Sequence, residues 1–396
     1  MRIAVNTRLL IRGKLEGLGW FTHEVVKRLV EQHPEDEFIF FFDRLYGREF
    51  IFGKNVTPVV LFPPARHPVL FYLWFEWALA GALKKYRPDV FLSPDNFLCL
   101  RTGVKTTLVT HDLAHVHFPE QLPFLQRKYY QYFAPKFNRR AERIVAMSEF
   151  TKEDIVQQYG ILPEKISVAC NGCRDIFRPL SKAGVQEVRN NYAGGQPYFF
   201  YIGAVHPRKN VHRLIRAFDI FKAKTGAPVK LLIGGRFAWK SGEVLMAFKA
   251  SEHQDDIHFL GYLTEAELPK LMAAAHACTY VSLFEGFGVP LLEAMHSEVP
   301  VITSNVPAMP EVAGEAALLV DPRSLAEIAA AMQQIWQNPH LCAKLVAAGK
   351  LQREKFTWQR AADVVYENLK MSAGGMMEPL PFRSKISPGI VCTKNM

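Results

Sequence analysis

Short runs of apolar residues, many of them β-branched or aromatic, alternate along this chain with longer segments whose apolar residues recur at helical spacing. In the first half the predicted strands are 3–5, 38–42, 59–62, 89–93, 106–110, 143–148 and 165–169. Helices are predicted between them, the first from about Trp20 to Gln32. Because alternating strands and helices are typical of a doubly wound parallel sheet, this half is predicted to be a Rossmann-like α/β domain.

The second half repeats this alternation. Its predicted strands are 198–203, 229–234, 257–262, 278–284, 299–304 and 316–320, and its predicted helices are 210–223, 265–275, 290–297, 324–336, 339–355 and 358–370. Between about residues 178 and 196 the pattern lapses into sequence with Pro and Gly at both ends, which favours a linker. We therefore predict an N-terminal domain (1–178), a linker (179–196), a C-terminal domain (197–356), a last helix (357–371) and a flexible tail (372–396).

Length and composition indicate a soluble protein of two domains. A chain of 396 residues exceeds one ordinary core, and 49% hydrophobic with 22% charged residues is typical of globular proteins. The start of the chain is predicted to be a strand, not a signal peptide. The densest apolar stretch, 68–83, is interrupted by Glu76 and is shorter than the roughly 20 residues that span a bilayer, so we expect a buried or interfacial helix.

The cysteines do not suggest a disulfide scaffold. Six of them in a chain of this length point to a reducing, cytoplasmic setting. The C-x-x-C at 170–173 lacks a second pair of ligands, so we interpret it as packing and not as a metal or redox site.

Positive charge is concentrated in one predicted helix. The net charge is +10, and from Arg127 to Arg143 six basic residues stand against one acid, with several aromatic residues nearby. A solvated helix face, an anionic membrane surface and nucleic acid would each explain this segment. No nucleic-acid-binding motif accompanies it, so we expect no nucleic acid partner and keep residues 124–143 as a candidate for an anionic membrane surface.

Two glutamates flank a glycine turn in EGFGVPLLE, residues 285–293. A strand is predicted to end at Phe284 and a helix to start near Pro290, and the glycines between them allow close backbone approach. The free N–H groups of such a helix N-terminus bind phosphate. Glu293 falls in the predicted first turn, where it would cap its helix or accept hydrogen bonds from a hydroxylated group such as a ribose. A cap accounts for only one of the two glutamates, so the pair favours a ligand site.

Two cations follow the strand that is predicted to end at Gly203. Arg208 and Lys209 stand ahead of a helix predicted to begin near Asn210, where positive charge is unfavourable unless an anion joins it. A diphosphate would be that anion, bound by the planar fork of the arginine and the point charge of the lysine. A solvated loop is the alternative.

A histidine lies just past the predicted strand 106–110. A neutral His111 would donate there to a sugar hydroxyl or a phosphate oxygen. His115 and His117 follow, but no carboxylate completes a zinc geometry, so we expect no metal.

Taken together, these segments are similar to the family 4 retaining glycosyltransferases, which have the GT-B fold. The most specific match is the E-x7-E element from Glu285 to Glu293. YIGAVHPRKN resembles the donor-diphosphate loop of the family, THDLAHVHFPE its acceptor-side loop, and FTWQRAADVVYENL the helix that crosses back to the first domain. The resemblance covers about residues 1 to 370 and implies two Rossmann-like domains that face a central cleft.

The resemblance implies a role for each candidate site residue. Glu293 would bind the ribose, Glu285 would contact hydroxyls of the transferred sugar, and Lys209 with Arg208 would neutralise the diphosphate as the glycosidic bond breaks. His111 would face the sugar from the first domain. The other donor-binding positions, most of which would act through the backbone, are Gly19, Gly203, Tyr262, Leu263, Phe287, Gly288 and Val289. Neither a metal nor a cofactor is expected beyond the nucleotide-sugar substrate.

Two positions depart from the family pattern. Many members carry an arginine after the glycine of the diphosphate loop, where this chain has Ala204, and Arg208 is the candidate to replace it. Glu298 stands in a turn where members commonly have glycine. Neither departure removes a proposed ligand residue.

The implied activity is the metal-independent, retaining transfer of a hexosyl unit from a nucleotide-diphosphate sugar, with GDP-mannose expected first and UDP-hexoses next. The acceptor would be a glycan or lipid-linked intermediate of surface polysaccharide or lipopolysaccharide assembly in a bacterium, at the inner face of the cell membrane. Three alternatives stay open: a nucleotide-sugar epimerase or phosphorylase on the same fold, a catalytically silent binding subunit, and an NAD dehydrogenase. The last would need a G-x-G-x-x-G after a strand, which is absent from the sequence.

Overall fold

The computed structural model describes residues 1–237 and 241–375 and contains two parallel sheets. The strands of the first are β1 (Arg2–Asn6), β2 (Glu37–Phe42), β3 (Val56–Val60), β4 (Val90–Ser93), β5 (Lys105–Thr110), β6 (Arg143–Ala146) and β7 (Ile166–Val168). They are ordered β3-β2-β1-β4-β5-β6-β7. The order reverses between β1 and β4, and ligands of such sheets bind beside the reversal, at the carboxyl ends of the strands.

The second sheet repeats this plan. Its strands are β8 (Tyr198–Ile202), β9 (Lys230–Gly234), β10 (Ile257–Gly261), β11 (Ala277–Tyr280), β12 (Val301–Ser304) and β13 (Ala317–Val320). They are ordered β10-β9-β8-β11-β12-β13, with the reversal between β8 and β11.

Helices follow most strands. They are α1 (Gly17–Gln32), α2 (Pro68–Leu73), α3 (Ala80–Tyr86), α4 (Ala114–His117), α5 (Phe124–Arg140), α6 (Glu149–Tyr159), α7 (Lys182–Ala193), α8 (Val211–Thr225), α9 (Gly242–Lys249), α10 (Leu268–Ala274), α11 (Val289–His296), α12 (Met309–Ala313), α13 (Leu325–Gln337), α14 (Pro339–Arg353) and α15 (Trp358–Ala373). A π-helical turn, Trp74–Leu79, joins α2 to α3. Within the described residues, no helix combines the length and apolar character needed to cross a membrane.

The strands are apolar on both faces because each sheet is covered on both sides. In β2, Phe38 and Phe40 belong to one hydrophobic cluster, whereas Ile39 and Phe41 belong to another on the opposite face. All four side chains are buried. The predicted doubly wound α/β fold is confirmed for both domains.

The last helix, α15, crosses back to the first domain as the family resemblance implied. It packs on α1, β5 and β6. The Tyr366 hydroxyl donates to Asp36 at 2.8 Å, and the hydroxyls of Thr107 and Ser372 lie 2.9 Å apart. These contacts tie the C-terminal segment to the N-terminal domain.

The segment expected to be an irregular linker, 179–196, contains a helix instead. The Ser181 side chain accepts a hydrogen bond from the Gly184 N–H and begins α7, and Gly194, in the left-handed region, ends it. Its Val188 is buried, and α7 packs on α10. The glycines that suggested a break in structure therefore include a helix cap.

Among the boundaries that differ from prediction, two concern the cleft and the end of the chain. β11 ends at Tyr280, not at Phe284. Phe284 instead packs on the first domain, with its ring 4.8 Å from that of His117. α15 continues to Ala373, two residues beyond the predicted domain boundary at 371. Most of the tail, residues 376–396, lies outside the described residues.

Candidate active site

A cleft of about 450 Å³ lies between the domains at the carboxyl ends of their strands. The first domain contributes the start of α1 and the segment after β7, and the second contributes the loops after β8, β9 and β10 and the start of α11. Seven predicted site residues line it: Gly203, Arg208, Lys209, Tyr262, Leu263, Val289 and Glu293. The cleft thus lies where doubly wound sheets bind ligands.

A buried ion cluster lies at one wall of this cleft, which its two cations, Arg208 and Lys209, line. Lys209 Nζ lies 2.6 Å from Glu285 Oε1 and 2.5 Å from the Tyr280 hydroxyl. Arg208 Nη1 lies 3.3 Å from Glu285 Oε2. Both cations stand on a 3₁₀ turn between β8 and α8. We expected a diphosphate to be the anion beside these cations, but in the structure Glu285 already supplies one.

The Glu285 carboxylate of this cluster is ionised at neutral pH, whereas burial lowers the pKa of Lys209 and Glu285 opposes that fall. Burial alone would raise the pKa of Glu285, but Lys209 and Arg208 lower it to about 2. Burial and the same two cations lower the pKa of His206 to about 4, so its ring is neutral. Two cations against one carboxylate leave excess positive charge at the cleft, which favours an anionic ligand.

The glycine loop that precedes α11 touches the first domain. A Cβ atom on Gly286 would lie 2.0 Å from the His111 carbonyl oxygen, so this contact requires glycine. The Gly286 carbonyl accepts hydrogen bonds from the hydroxyls of Ser148 at 2.7 Å and Thr151 at 3.2 Å, at the start of α6. Gly288, with φ +106°, precedes the helix in a conformation that other residues rarely adopt. The loop therefore links the two domains beside the cleft.

Glu293 lies in the second turn of α11, not in the first as predicted, because the helix begins at Val289. Its carboxylate does not cap the helix; instead Arg174 Nη2 donates to Oε1 at 3.3 Å. Burial raises the pKa of Glu293, and Arg174 opposes the rise. The capping role considered for Glu293 is therefore wrong, and its side chain lines the cleft.

Two predicted residues of the first domain do not reach the cleft. A Cβ atom on Gly19 would lie 3.0 Å from the Leu9 carbonyl oxygen, whereas Gly17 faces open space and lines the cleft. His111 Nε2 lies 2.7 Å from the Pro94 carbonyl oxygen, and burial lowers the pKa of its ring. His111 is therefore neutral and lies behind the cleft wall rather than on it.

Three predicted residues of the second domain also lie behind the wall: Glu285, Phe287 and Gly288. The ring of Phe287 is buried 5.5 Å from that of Phe356. On the wall itself Tyr262 is 55% exposed, whereas Leu263 is buried. Tyr262 is therefore the predicted base-contacting residue that is most accessible to a ligand.

The two departures from the family pattern have structural explanations. The first is Ala204, which stands where many members have an arginine. Arg208 supplies a guanidinium nearby: its Nη1 donates to the Phe284 carbonyl at 2.6 Å, which fixes the group beside the cleft that Ala204 lines. Glu298 ends α11 with φ +59°, in the left-handed region where glycine is favoured, and pairs with Lys350 at 2.8 Å.

Several cleft residues were missed from the sequence. The Arg174 guanidinium lies 4.4 Å from the centre of the Trp20 ring, and Arg236 pairs with Glu16 at 2.8 Å across the two domains. All four line the cleft, as does Asn171. Arg174 and Arg236 follow β7 and β9, so the rule that selected the other candidates, a position after the carboxyl end of a strand, would have found them.

The histidines near α4 have partners within the first domain. His117 Nε2 lies 2.8 Å from an Asp154 carboxylate oxygen, a pairing not expected from the sequence, and His115 Nε2 lies 2.7 Å from the Tyr159 hydroxyl. The thiol of Cys173 is free and buried, and burial raises its pKa. These contacts explain the residues as parts of the packed first domain.

Two family models match the chain. The model described as Glycosyltransferase Family 4 matches residues 15–175, and the model described as Glycosyl transferases group 1 matches residues 185–352. The chain belongs to the group 1, family 4 glycosyltransferases. The predicted family membership and glycosyltransferase activity are thus confirmed, and both matched regions contribute to the walls of the cleft.

Two curated relatives are similar to this glycosyltransferase over most of their own length. O-antigen chain mannosyltransferase B of Escherichia coli is 29% identical over 365 residues, which cover 88% of this chain and 94% of the relative. O-antigen chain mannosyltransferase RfbU of Salmonella typhimurium is 27% identical over 274 residues, which cover 69% and 72%.

Solved structures share the fold at lower identity. Anabaena Alr3699/HepE in complex with UDP and glucose has a TM-score of 0.73 and 17% identity, covering 93% of this glycosyltransferase and 99% of that chain. WaaG, a glycosyltransferase involved in lipopolysaccharide biosynthesis, has a TM-score of 0.74 and 15% identity, covering 92% and 99%. These similarities confirm the two-domain GT-B architecture.

Proposed function

We propose that this glycosyltransferase moves a mannosyl unit from GDP-mannose to a glycan or lipid-linked acceptor in the assembly of an O-antigen type polysaccharide. The observation that carries the proposal is the near full-length similarity to an O-antigen chain mannosyltransferase. UDP-hexoses are the next candidate donors. The donor and the acceptor would meet between the two domains, because the cleft is lined from both sides.

The donor diphosphate fits the positively charged wall. Arg208 and Lys209 would bind its oxygens, together with the free N–H groups at the start of α11. Glu293, behind that N-terminus, would accept hydrogen bonds from the ribose, and Tyr262 and Leu263 would contact the base.

Glu285 has two functions in this proposal. It lies 2.6 Å from Lys209 and so fixes the ammonium group before the donor binds. When the donor diphosphate attracts Lys209 and Arg208 toward the cleft, the Glu285 carboxylate would become available to accept hydrogen bonds from hydroxyls of the transferred sugar. The exchange of Lys209 from a carboxylate to a diphosphate keeps a buried ammonium group paired throughout, which avoids the cost of an unpaired buried charge.

The transfer retains configuration if it proceeds on one face of the sugar. The bond from the anomeric carbon to the diphosphate oxygen breaks, and that oxygen takes the proton of the acceptor hydroxyl. The acceptor oxygen then bonds the anomeric carbon on the same face. Lys209, Arg208 and the helix N-terminus would stabilise the negative charge that develops on the diphosphate, so this step needs neither a protein nucleophile nor a metal ion.

The first domain presents a surface suited to an anionic membrane. On α5, Phe124 and Tyr132 are 62% and 59% exposed, and Lys136 Nζ lies 3.3 Å from the centre of the Tyr132 ring. The neighbouring helical segment adds Trp77, 58% exposed, beneath the Arg101 guanidinium at 4.2 Å. Exposed aromatic rings beside cations fit the boundary between lipid headgroups and acyl chains.

Donor binding tests the assignment. Thermal shift against GDP-mannose, UDP-glucose, UDP-galactose and the free diphosphates should give its largest stabilisation with GDP-mannose. Larger stabilisation by a UDP-hexose would show that the donor is that UDP-hexose and not GDP-mannose. Formation of a new sugar nucleotide in the absence of an acceptor would show that the enzyme is an epimerase and not a transferase.

Sedimentation with vesicles tests the proposed membrane surface. Binding should require anionic lipid and weaken as the salt concentration rises, and salt-insensitive binding would contradict the proposal.

A further inference from the structure

Arg174 is a largely buried cation of the cleft that belongs to none of the motifs of the donor site. It follows β7, at the exit from the first sheet, and its guanidinium lies 4.4 Å from the centre of the Trp20 ring on α1 and 5.1 Å from that of Phe177. From this position it reaches the second domain, where Nη2 lies 3.3 Å from Glu293 Oε1. The first domain thus supplies the partner of a carboxylate in the second.

We propose that Arg174 is a positioning residue for donor binding, which keeps the Glu293 carboxylate ionised and oriented toward the ribose hydroxyls. This inference rests on the proposed function, which assigns the ribose to Glu293. Among the described side chains, Arg174 alone donates a hydrogen bond to this carboxylate, and it uses Oε1. Since each carboxylate oxygen can accept two hydrogen bonds, Oε2 and one site on Oε1 remain for the ligand.

The environment of Glu293 explains why it needs a cation. Burial raises its pKa, and Arg174 is the group that lowers it. Other titratable groups nearby include the thiols of Cys173 and of Cys278 on β11, and burial raises the pKa of both, so they carry no charge. Glu265 lines the same cleft, and its carboxylate lies 4.0 Å from Arg174 Nη1. A protonated Glu293 would lose acceptor capacity for the ribose hydroxyls and would itself need an acceptor.

Arg174→Gln should therefore weaken donor binding in a pH-dependent manner. Without the cation the pKa of Glu293 rises further, so the protonated fraction is larger at pH 6 than at pH 8.5. Loss of a hydrogen bond to a charged group corresponds to a roughly tenfold or larger change in affinity, and we expect that loss at pH 6 with a clearly smaller one at pH 8.5.

Calorimetric titration with GDP-mannose and UDP-glucose at the two pH values measures this effect. Arg174→Lys keeps a cation without the planar fork and should restore part of the affinity and flatten the pH profile. Arg178→Gln removes an exposed arginine from the same segment and should match the unmodified protein. If Arg174→Gln does not fold, Arg174→Met takes its place, and a loss of donor affinity that is equal at the two pH values, or no loss at either, would overturn the inference.

A double variant separates positioning from direct contact. In a Glu293→Gln background, Arg174→Gln should change donor affinity less than about twofold, because the carboxylate through which it acts is gone. An equal loss in both backgrounds, or a pH-independent loss, would overturn the inference while leaving the proposed function standing. Failure of the unmodified protein to bind either nucleotide sugar would overturn both.

Discussion

Replacing Lys209 by methionine separates its structural role from its proposed catalytic one. The substitution removes the charge and keeps most of the side-chain volume at a site that is 13% exposed. Lys209 Nζ is hydrogen bonded to Glu285 at 2.6 Å and to Tyr280 at 2.5 Å, so both partners lose a donor. Stability and transfer should therefore both fall, but for different reasons.

The loss of stability should be moderate because Glu285 keeps Arg208 at 3.3 Å. A buried carboxylate left fully unpaired costs about 3–5 kcal/mol, whereas the loss of one hydrogen bond to a charged group costs about 1.5–3 kcal/mol. We expect Lys209→Met to lower the free energy of unfolding by about 2 kcal/mol in a denaturant titration followed by circular dichroism. Lys270→Met, at an exposed site of the same domain, should change it by less than about 0.5 kcal/mol.

The loss of transfer should be larger, since Lys209 would stabilise charge on the leaving diphosphate. Removing one such group lowers kcat by about 10²–10³-fold in comparable sites. A radiolabelled donor and an acceptor extract, assayed under conditions in which each variant is folded, measure this change.

The double variant Lys209→Met with Glu285→Gln tests whether the two effects are distinct. It removes both charges, so the stability lost on Lys209→Met should largely return. Transfer should remain low, because the diphosphate still lacks its cation. Recovery of wild-type kcat in the double variant would refute the catalytic role and leave Lys209 as a structural partner of Glu285.

Three further changes test other parts of the structure. Gly286→Ala would place a Cβ atom 2.0 Å from the His111 carbonyl oxygen, so it should abolish transfer while nucleotide binding to the second domain survives in calorimetry; normal turnover would contradict the domain contact. Glu298→Gly relieves a φ of +59° at the cost of one partly exposed ion pair with Lys350, and should raise the free energy of unfolding by about 1 kcal/mol; an unchanged or lower melting temperature would show that the pair outweighs the strain. The pKa of Glu285 is lowered to about 2, below its value in the unfolded chain. Ionised Glu285 therefore contributes roughly 3 kcal/mol to the free energy of unfolding above about pH 4.5, and this contribution is lost as the pH falls toward 2. Glu285→Gln should therefore make stability less dependent on pH in that window, and an unchanged acid profile would contradict the ion cluster.

The fold could be predicted from the sequence because strands covered on both faces are continuously apolar. In β2, five of six residues are buried, and such a run cannot be mistaken for a surface element. The predictions failed where an apolar or glycine-rich segment owed its composition to something else. Phe284 extends an apolar run because it meets the other domain, and Gly194 caps a helix rather than breaking one.

Site residues could be predicted from the sequence where one continuous motif, a strand end followed by a loop and a helix start, determines where the side chain lies. Glu293, Arg208 and Lys209 all reach the cleft for this reason. Arg174 and Trp20 were missed because their contact joins segments far apart in the sequence, although Arg174 follows the carboxyl end of β7. The ion pair of Glu285 with Lys209 also could not be predicted, since both residues were assigned to the ligand and not to each other.

The central claim, transfer of mannose from GDP-mannose with retained configuration, is tested most directly by the product. The purified chain is incubated with GDP-mannose and a lipid-linked or synthetic O-antigen acceptor, and the new linkage is examined by nuclear magnetic resonance. We predict an α-linked mannosyl product whose formation depends on Glu293 and requires no added metal ion. Three results would contradict the account. They are a β-linked product, conversion of the sugar nucleotide in the absence of acceptor, and transfer from a UDP-hexose with no product from GDP-mannose.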